Sequence, residues 1–258
     1  MIGKFADISS KSELGNNVQV GNFSTIFENV TIGDGTIIHP NVTIYPGTTI
    51  GDNCEIFPGA IIGVDPQDLK FDGEETTVEI GKNTKIRECV TIHRATADRW
   101  MTKVGDNCLL MTYVHVAHDC QIGNNVVLAS FTGLSGHVII EDNAILEGKV
   151  AAQQFARIGK FAFIGGASLI RKDVPPYVKA AREPLGFAGV NAVGLRRRGF
   201  DEDKIKEIED IYRLIYVQNA NVSKGIESVL ESLPDTEVRK EILDFISESD
   251  KGVIKGLI

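Results

Sequence analysis

Three of the chain's five histidines, His115, His118 and His137, crowd into Thr112-Tyr113-Val114-His115-Val116-Ala117-His118-Asp119-Cys120 and Ser135-Gly136-His137-Val138. With an ordinary pKa of about 6.5, imidazole is the natural general base at neutral pH. A carboxylate beside it can orient the ring or sustain the imidazolium that forms, and Asp119 supplies one. Three histidines also invite a zinc ion with one position left open for hydration chemistry. The presence of Asp119 and Gln154 in the same cluster favours acid–base chemistry instead. Cys120 adjoins His118, but it falls in a column of small inward residues described below, where a thiol is buried filler rather than a nucleophile. No Gly-x-Ser-x-Gly elbow is present.

These groups need a scaffold that brings distant positions together, and the sequence supplies a period of six. Counting by sixes gives Ile2, Ile8, Leu14, Val20, Ile26, Ile32, Ile38, Ile44, Ile50, Ile56 and Ile62, then Ile80, Ile86 and Ile92, then Val104 through Ile170 with Ala152 alone not a large aliphatic. Two places before each stands a mostly small residue, such as Val18, Ser24, Thr36, Cys54, Thr102, Cys108 or Cys120. Positions two apart on a strand share a face, so both columns point inward. A helix repeats at about 3.6 and an amphipathic strand at 2, so neither explains the pattern. One short strand plus one corner does. Gly15, Gly33, Gly51, Gly105, Gly123 and Gly159 add a grid of eighteen, which closes three strands into a triangular coil. Residues eighteen apart then stack, which sets His137 over Asp119 and, two coils up, Gln154 over His118.

Two stretches break the columns and are expected to leave the prism as loops, at about 63–79 and 94–103, where Asp68, Glu74 and Asp98 occupy slots that should be aliphatic. Past Lys172 the hexads stop. Asp201 can cap a helix holding Ile205, Ile208, Ile211, Tyr212, Leu214 and Ile215, and further helices fit Ile226–Leu233 and Thr236–Ile246. The expected organisation is a parallel β-helix over 1–172 and a small α-helical domain over 173–258. The net charge of -8 argues against a general nucleic-acid binder. A local exception runs from Arg171 to Arg198, where Arg171, Lys172, Lys179, Arg182, Arg196, Arg197 and Arg198 face only Asp173 and Glu183, suited to a diphosphate or an acidic partner. No run of eighteen apolar residues and no secretion signal is visible, so the cytoplasm is the expected compartment.

Taken in order, His115-Val116-Ala117-His118-Asp119-Cys120, Gly136-His137-Val138, Gln154-Phe155, Asp173-Val174-Pro175-Pro176-Tyr177 and Gly194-Leu195-Arg196-Arg197-Arg198-Gly199-Phe200 resemble the UDP-N-acetylglucosamine O-acyltransferase family. Asp65-Pro66-Gln67-Asp68-Leu69-Lys70 and the segment Ile86 to Arg94 match as well. The resemblance spans nearly the whole chain. It implies a left-handed parallel β-helix assembled as a homotrimer with active sites between subunits. It also implies transfer of an (R)-3-hydroxyacyl chain from acyl carrier protein to the glucosamine 3-hydroxyl of UDP-N-acetylglucosamine, the first step of lipid A synthesis, with no cofactor. By position in the motifs, His118 would be the general base, Asp119 its partner and the N–H of Gly136 an oxyanion donor. Asp68 and Lys70 would reach the sugar, and His93, His115, His137, Gln154, Asn191, Arg197 and Arg198 would hold the rest of the nucleotide sugar. Gly166 would leave open the far end of the acyl groove, implying a long acyl chain. Gln153 and Val193 depart from the family's usual histidine and glutamate. The competing readings are the sister UDP-amino-sugar N-acyltransferase, a CoA-dependent acetyltransferase, a zinc-binding solenoid of the gamma-carbonic-anhydrase type, and a purely structural solenoid.

Overall fold

A computed structural model of the chain describes residues 1–256. The inward aliphatics and the small residues before them are buried from Val18 onward, and strands mostly two residues long carry them into three sheets of nine, eight and eleven strands. The pairing is parallel throughout, apart from the antiparallel strand Gly186–Val190 near one end of the eleven-stranded sheet. The result is a left-handed parallel β-helix with a triangular cross-section. The nine-stranded sheet is called the first face here, the eight-stranded the second and the eleven-stranded the third. Each fully buried isoleucine or leucine contributes about 1.5–3 kcal/mol, so the column itself is the core.

Along the first face Ile8 pairs with Ile26, the regular step of eighteen, but Ile62 pairs with Ile92 and Ile92 with Val116. These steps of thirty and twenty-four exceed the regular one by twelve and six, both multiples of six. The six-residue count therefore survives two excursions that leave the prism, at 65–76 and 94–100, between the strands Ile61–Val64 and Thr77–Ile80 and between Thr91–His93 and Met101–Val104. The flanking strands thus extend into both expected loop spans. Together the excursions add eighteen residues, which hides a member of the glycine stack. Gly81 lies between Gly51 and Gly105 in space although off the sequence grid, and a Cβ there would stand 2.2 Å from Asp106 Oδ1 and 2.6 Å from the Gly105 carbonyl carbon.

Sheet structure runs past the expected boundary at 172/173. Val174 bridges Ile158, and Val178–Ala181 pairs parallel with Phe163–Ile164, so the last partial coil is built from residues assigned by sequence to the helical part. Helices follow at Ala192–Arg197 (α1), Glu202–Tyr216 (α2), Val222–Ser232 (α3) and Glu237–Ser247 (α4). Each N-terminus has a side-chain cap: Asn191, Asp201, Asn221 and Thr236 accept from Gly194, Lys204, Lys224 and Arg239 N–H respectively. The α3 span begins four residues before the expected Ile226, and α1 was not expected. Lys255–Gly256 returns to pair with Gly186–Phe187, covering the sheet edge; 257 and 258 of the expected second domain lie outside the described residues.

Candidate active site

The corner between the first and second faces carries the chemistry. Three successive coils turn there through a residue in the left-handed backbone region: Asp119 (φ 62°), His137 (φ 64°) and Phe155 (φ 66°). One place earlier on the same coils stand His118, Gly136 and Gln154, which line an open cleft of about 710 Å³. Its floor is the outer surface of the first face, with His115, Gly133 and Ala151, and one wall is the first excursion, with Gln67, Asp68, Leu69 and Lys70.

His118 is 6% exposed and Asp119 is fully buried. His118 Nδ1 lies 2.8 Å from Asp119 Oδ2. A carboxylate only accepts, so Nδ1 carries a proton, and in the neutral ring Nε2 is the acceptor presented to the cleft. Nε2 is 4.0 Å from Asp68 Oδ2 on the opposite wall. The imidazole lies directly on Gly136: a Cβ at that position would be 2.5 Å from His118 Cε1 and 2.6 Å from Nε2. Among the described residues the Gly136 N–H has no acceptor. His137 meets His118 edge-on at 5.2 Å, stacks on Phe155 at 4.5 Å, and sets Nε2 3.7 Å from Asp119 Oδ2. His93 Nδ1 donates to the Asp65 carbonyl at 2.7 Å, and His115 Nδ1 pairs with Thr91 Oγ1 at 2.7 Å.

Burial holds His93, His115 and His137 below the ordinary imidazole pKa, with charge on His118 adding to the effect in each case; the Asp119 carboxylate pulls His137 the other way. In each the shift favours the neutral ring. Cys120 is inert: desolvation pushes its thiol up to about 12, and Sγ donates to the Ser135 carbonyl at 3.3 Å. Donor atoms of His118, Asp119 and His137 lie within 4.8 Å of one another, close enough to share a metal ion. The Asp119 carboxylate, however, already accepts from His118, from the Thr96 hydroxyl at 2.7 Å, and from the N–H groups of Thr96 and Arg99 at 3.2 Å. It is a hydrogen-bonded anion rather than a vacant ligand.

A family model described as Udp N-acetylglucosamine O-acyltransferase, Domain 2, matches residues 173–254, and one for bacterial transferase hexapeptide repeats matches 29–63 and 101–136. The acyl-[acyl-carrier-protein]--UDP-N-acetylglucosamine O-acyltransferase of Stenotrophomonas maltophilia is 42% identical over 252 residues, 97% of this chain and 96% of that one. The chain belongs to the UDP-N-acetylglucosamine O-acyltransferase family. Solved structures of family members agree: that of LpxA from Bacteroides fragilis superposes with a TM-score of 0.96 at 44% identity, covering 99% of this chain and 100% of the other. The Francisella novicida enzyme gives 0.94 at 38%, covering 99% and 94%.

Of the residues the family resemblance singles out, Asp68, Lys70, His93, His115, His118, Gly136 and Gln154 line the cleft, with Asp119 and His137 directly behind. Gly166 lies on the next corner, between the third and first faces, its N–H bonded to Glu147 Oε2 at 2.9 Å. Asn191 is engaged inside its own chain, capping α1 through Oδ1 and donating from Nδ2 to the Phe161 carbonyl at 2.9 Å, so the cap explains this asparagine without a ligand. Arg197 and Arg198 stand at the C-terminal end of α1 and are not among the residues lining this cleft. Arg196 is taken by Glu202 at 2.6 Å, while neither of the other two has a carboxylate partner among the described residues. Thr96, Arg99 and Thr102, which surround Asp119, carried no sequence signal as site residues. Thr102 alone was visible, as one of the small inward column.

Proposed function

We propose that the protein transfers an (R)-3-hydroxyacyl chain from acyl carrier protein to the 3-hydroxyl of UDP-N-acetylglucosamine, the first step of lipid A synthesis, with His118 as general base. The observation that carries this reading is the His118–Asp119 pair, whose free Nε2 faces an open cleft opposite Asp68. In the forward step Nε2 takes the proton of the sugar hydroxyl as its oxygen attacks the thioester carbonyl. Asp119 sustains the imidazolium, the Gly136 N–H faces the developing oxyanion, and His118 returns the proton to the departing thiol. The thioester is already activated, so no cofactor is required.

Asp68 and Lys70 reach the sugar from the first excursion, His115, His93 and Gln154 line the remaining surface, and His137 supports it from behind. Asn191, Arg197 and Arg198 are not among the residues that line that cleft within one chain. This supports a homotrimer in which a neighbouring subunit's arginines close the site on the diphosphate or receive the acidic carrier protein. The outer surface of the third face, with half-buried Leu109, Val127, Ile145 and Phe163 in consecutive coils, supplies the apolar stripe such an assembly needs. A soluble donor and nucleotide acceptor suit a cytoplasmic protein; no helix among the described residues is long and apolar enough to cross a membrane.

The test is transfer from 3-hydroxyacyl carrier protein to UDP-N-acetylglucosamine, run beside light scattering. Wild type should be active at the mass of three chains, and His118→Ala should lose about two to four orders of magnitude in turnover. An active monomer would refute the shared site, and a fully active His118→Ala would remove His118 from the chemistry.

A further inference from the structure

The second excursion leaves the prism beside the site, yet among the residues lining the cleft it supplies none. Its short run Ala95-Thr96-Ala97 is held on both sides by the end of the first excursion. The Thr76 hydroxyl donates to the Ala95 carbonyl, both residues being buried, and the Ala97 N–H donates to Glu74 Oε1 at 3.2 Å. Between these two anchors Thr96, 7% exposed, aims both its N–H and its hydroxyl at Asp119, the hydroxyl at 2.7 Å from Oδ2. The Asp98 N–H donates to Thr96 Oγ1 at 3.3 Å, which turns the hydroxyl proton toward Asp119. Arg99 adds its N–H to Oδ1 at 3.2 Å and its guanidinium to the Asp119 main-chain carbonyl at 3.2 Å, while Thr102 Oγ1 accepts from the Asp119 N–H at 2.8 Å.

A fully buried carboxylate stays ionised only where donors replace its lost hydration. Here the same Oδ2 receives both the Thr96 hydroxyl and His118 Nδ1. We propose that Thr96, clamped by Glu74 and Thr76, is a positioning residue for the His118–Asp119 pair: its hydroxyl fixes the carboxylate's rotation and draws off part of the charge that His118 would otherwise hold. The inference rests on His118 being the base. Without that donor, more of the anion's charge falls on His118 and favours the protonated ring, and the carboxylate can turn out of line.

The other titratable groups facing the pair are His137, Asp98 at 3.6 Å from His137, Asp68, His93, His115 and Arg99. Thr96→Val is near-isosteric and changes none of these side chains; it removes the hydroxyl, and with it the acceptor of the Asp98 N–H. In the acyl-transfer assay Thr96→Val should lower kcat about ten- to hundredfold with KM little changed, as expected for one lost hydrogen bond to a charged group. The acid limb of its kcat/KM profile should move to higher pH, and Thr96→Ser should restore both values.

An unmoved acid limb and near-normal kcat in folded Thr96→Val would overturn the assignment, as would a Thr96→Ser variant as impaired as the valine. Should the valine variant not fold, Glu74→Ala in the excursion carries the test. The same upward movement of the acid limb is expected there, and an unmoved limb overturns the clamp. An inactive wild type or an active His118→Ala would instead sink the underlying reading, so the two failures are separable.

Discussion

Adding one methyl group at Gly136 tests the geometry of the base more sharply than removing it. The alanine Cβ would stand 2.5 Å from His118 Cε1 and 2.6 Å from Nε2, whereas carbon atoms settle at about 3.5–4.0 Å. The ring must therefore retreat by about 1 Å. It cannot do so freely, because Nδ1 is tied to Asp119 at 2.8 Å and His137 abuts it edge-on at 5.2 Å between centroids. Overpacking of this kind costs about 1–3 kcal/mol of stability. A displacement of about 1 Å at a reacting group costs about a hundredfold in rate. The backbone at 136 is not in the left-handed region, so no backbone strain adds to the clash. Gly136→Ala should thus remain folded, lose about a hundredfold in kcat and change KM little, because the ring's misplacement affects the transition state more than substrate docking. Steady-state rates with 3-hydroxyacyl carrier protein and UDP-N-acetylglucosamine, beside a thermal melt, measure both. A folded alanine variant within threefold of wild-type kcat would refute the claim that His118 works only where Gly136 lets it lie.

Gly166 has no left-handed requirement, and a Cβ there meets the Gly148 carbonyl at 3.3 Å and Glu147 Cβ and Oε2 at ordinary contact distance, 3.8 Å, so Gly166→Met should fold. If the acyl chain runs across the first face toward that corner, the methionine fills its end and preference shifts to shorter donors by well over tenfold, each lost CH₂ contact being worth about 0.8 kcal/mol. Rates with donors of graded length decide this, and identical length profiles would place the ruler elsewhere. The depressed pKa values of His93, His115 and His137 also have a sign: the unfolded chain binds their protons more readily than the folded one. The stability they contribute is complete above the ordinary imidazole range and is lost as pH falls through their folded values. The melting temperature should fall on acidification from about pH 7 to 5, less steeply in His93→Gln; equal slopes would exclude His93 from that loss.

The prism was legible because its signal is one-dimensional: Ile26 and Ile44 point inward whatever else the chain does, and eighteen residues of sequence become one coil of height. That same rule places His137 over Asp119 and Gln154 two coils above His118, relations that need no knowledge of loops. It failed where the chain leaves the prism. Gly81 was missed because two excursions together add one whole coil and restore the count downstream. Thr96 and Arg99 were missed because their contact with Asp119 depends on how an excursion folds back, held by Glu74 and Thr76, and no periodicity encodes that. Asn191 and α1 illustrate a third gap: a six-residue helix holds too few apolar positions to show a period, so its capping asparagine had no visible structural role.

Because the excursions lengthen the chain by twelve and six residues, the polypeptide keeps something like a reading frame. Deleting a single residue within a regular coil would turn the next inward aliphatic toward solvent unless the chain absorbs the loss in a local bulge, as it does at the register shift between Ile62 and Val64. Removal of a full eighteen from the first coils, which carry none of the cleft residues, would leave the frame intact. The excursions are exempt, since length added outside the prism wall leaves the strands on either side in phase. A protein built this way can change its height only in whole storeys, while its two excursions are constrained instead by the side chains they deliver to the site.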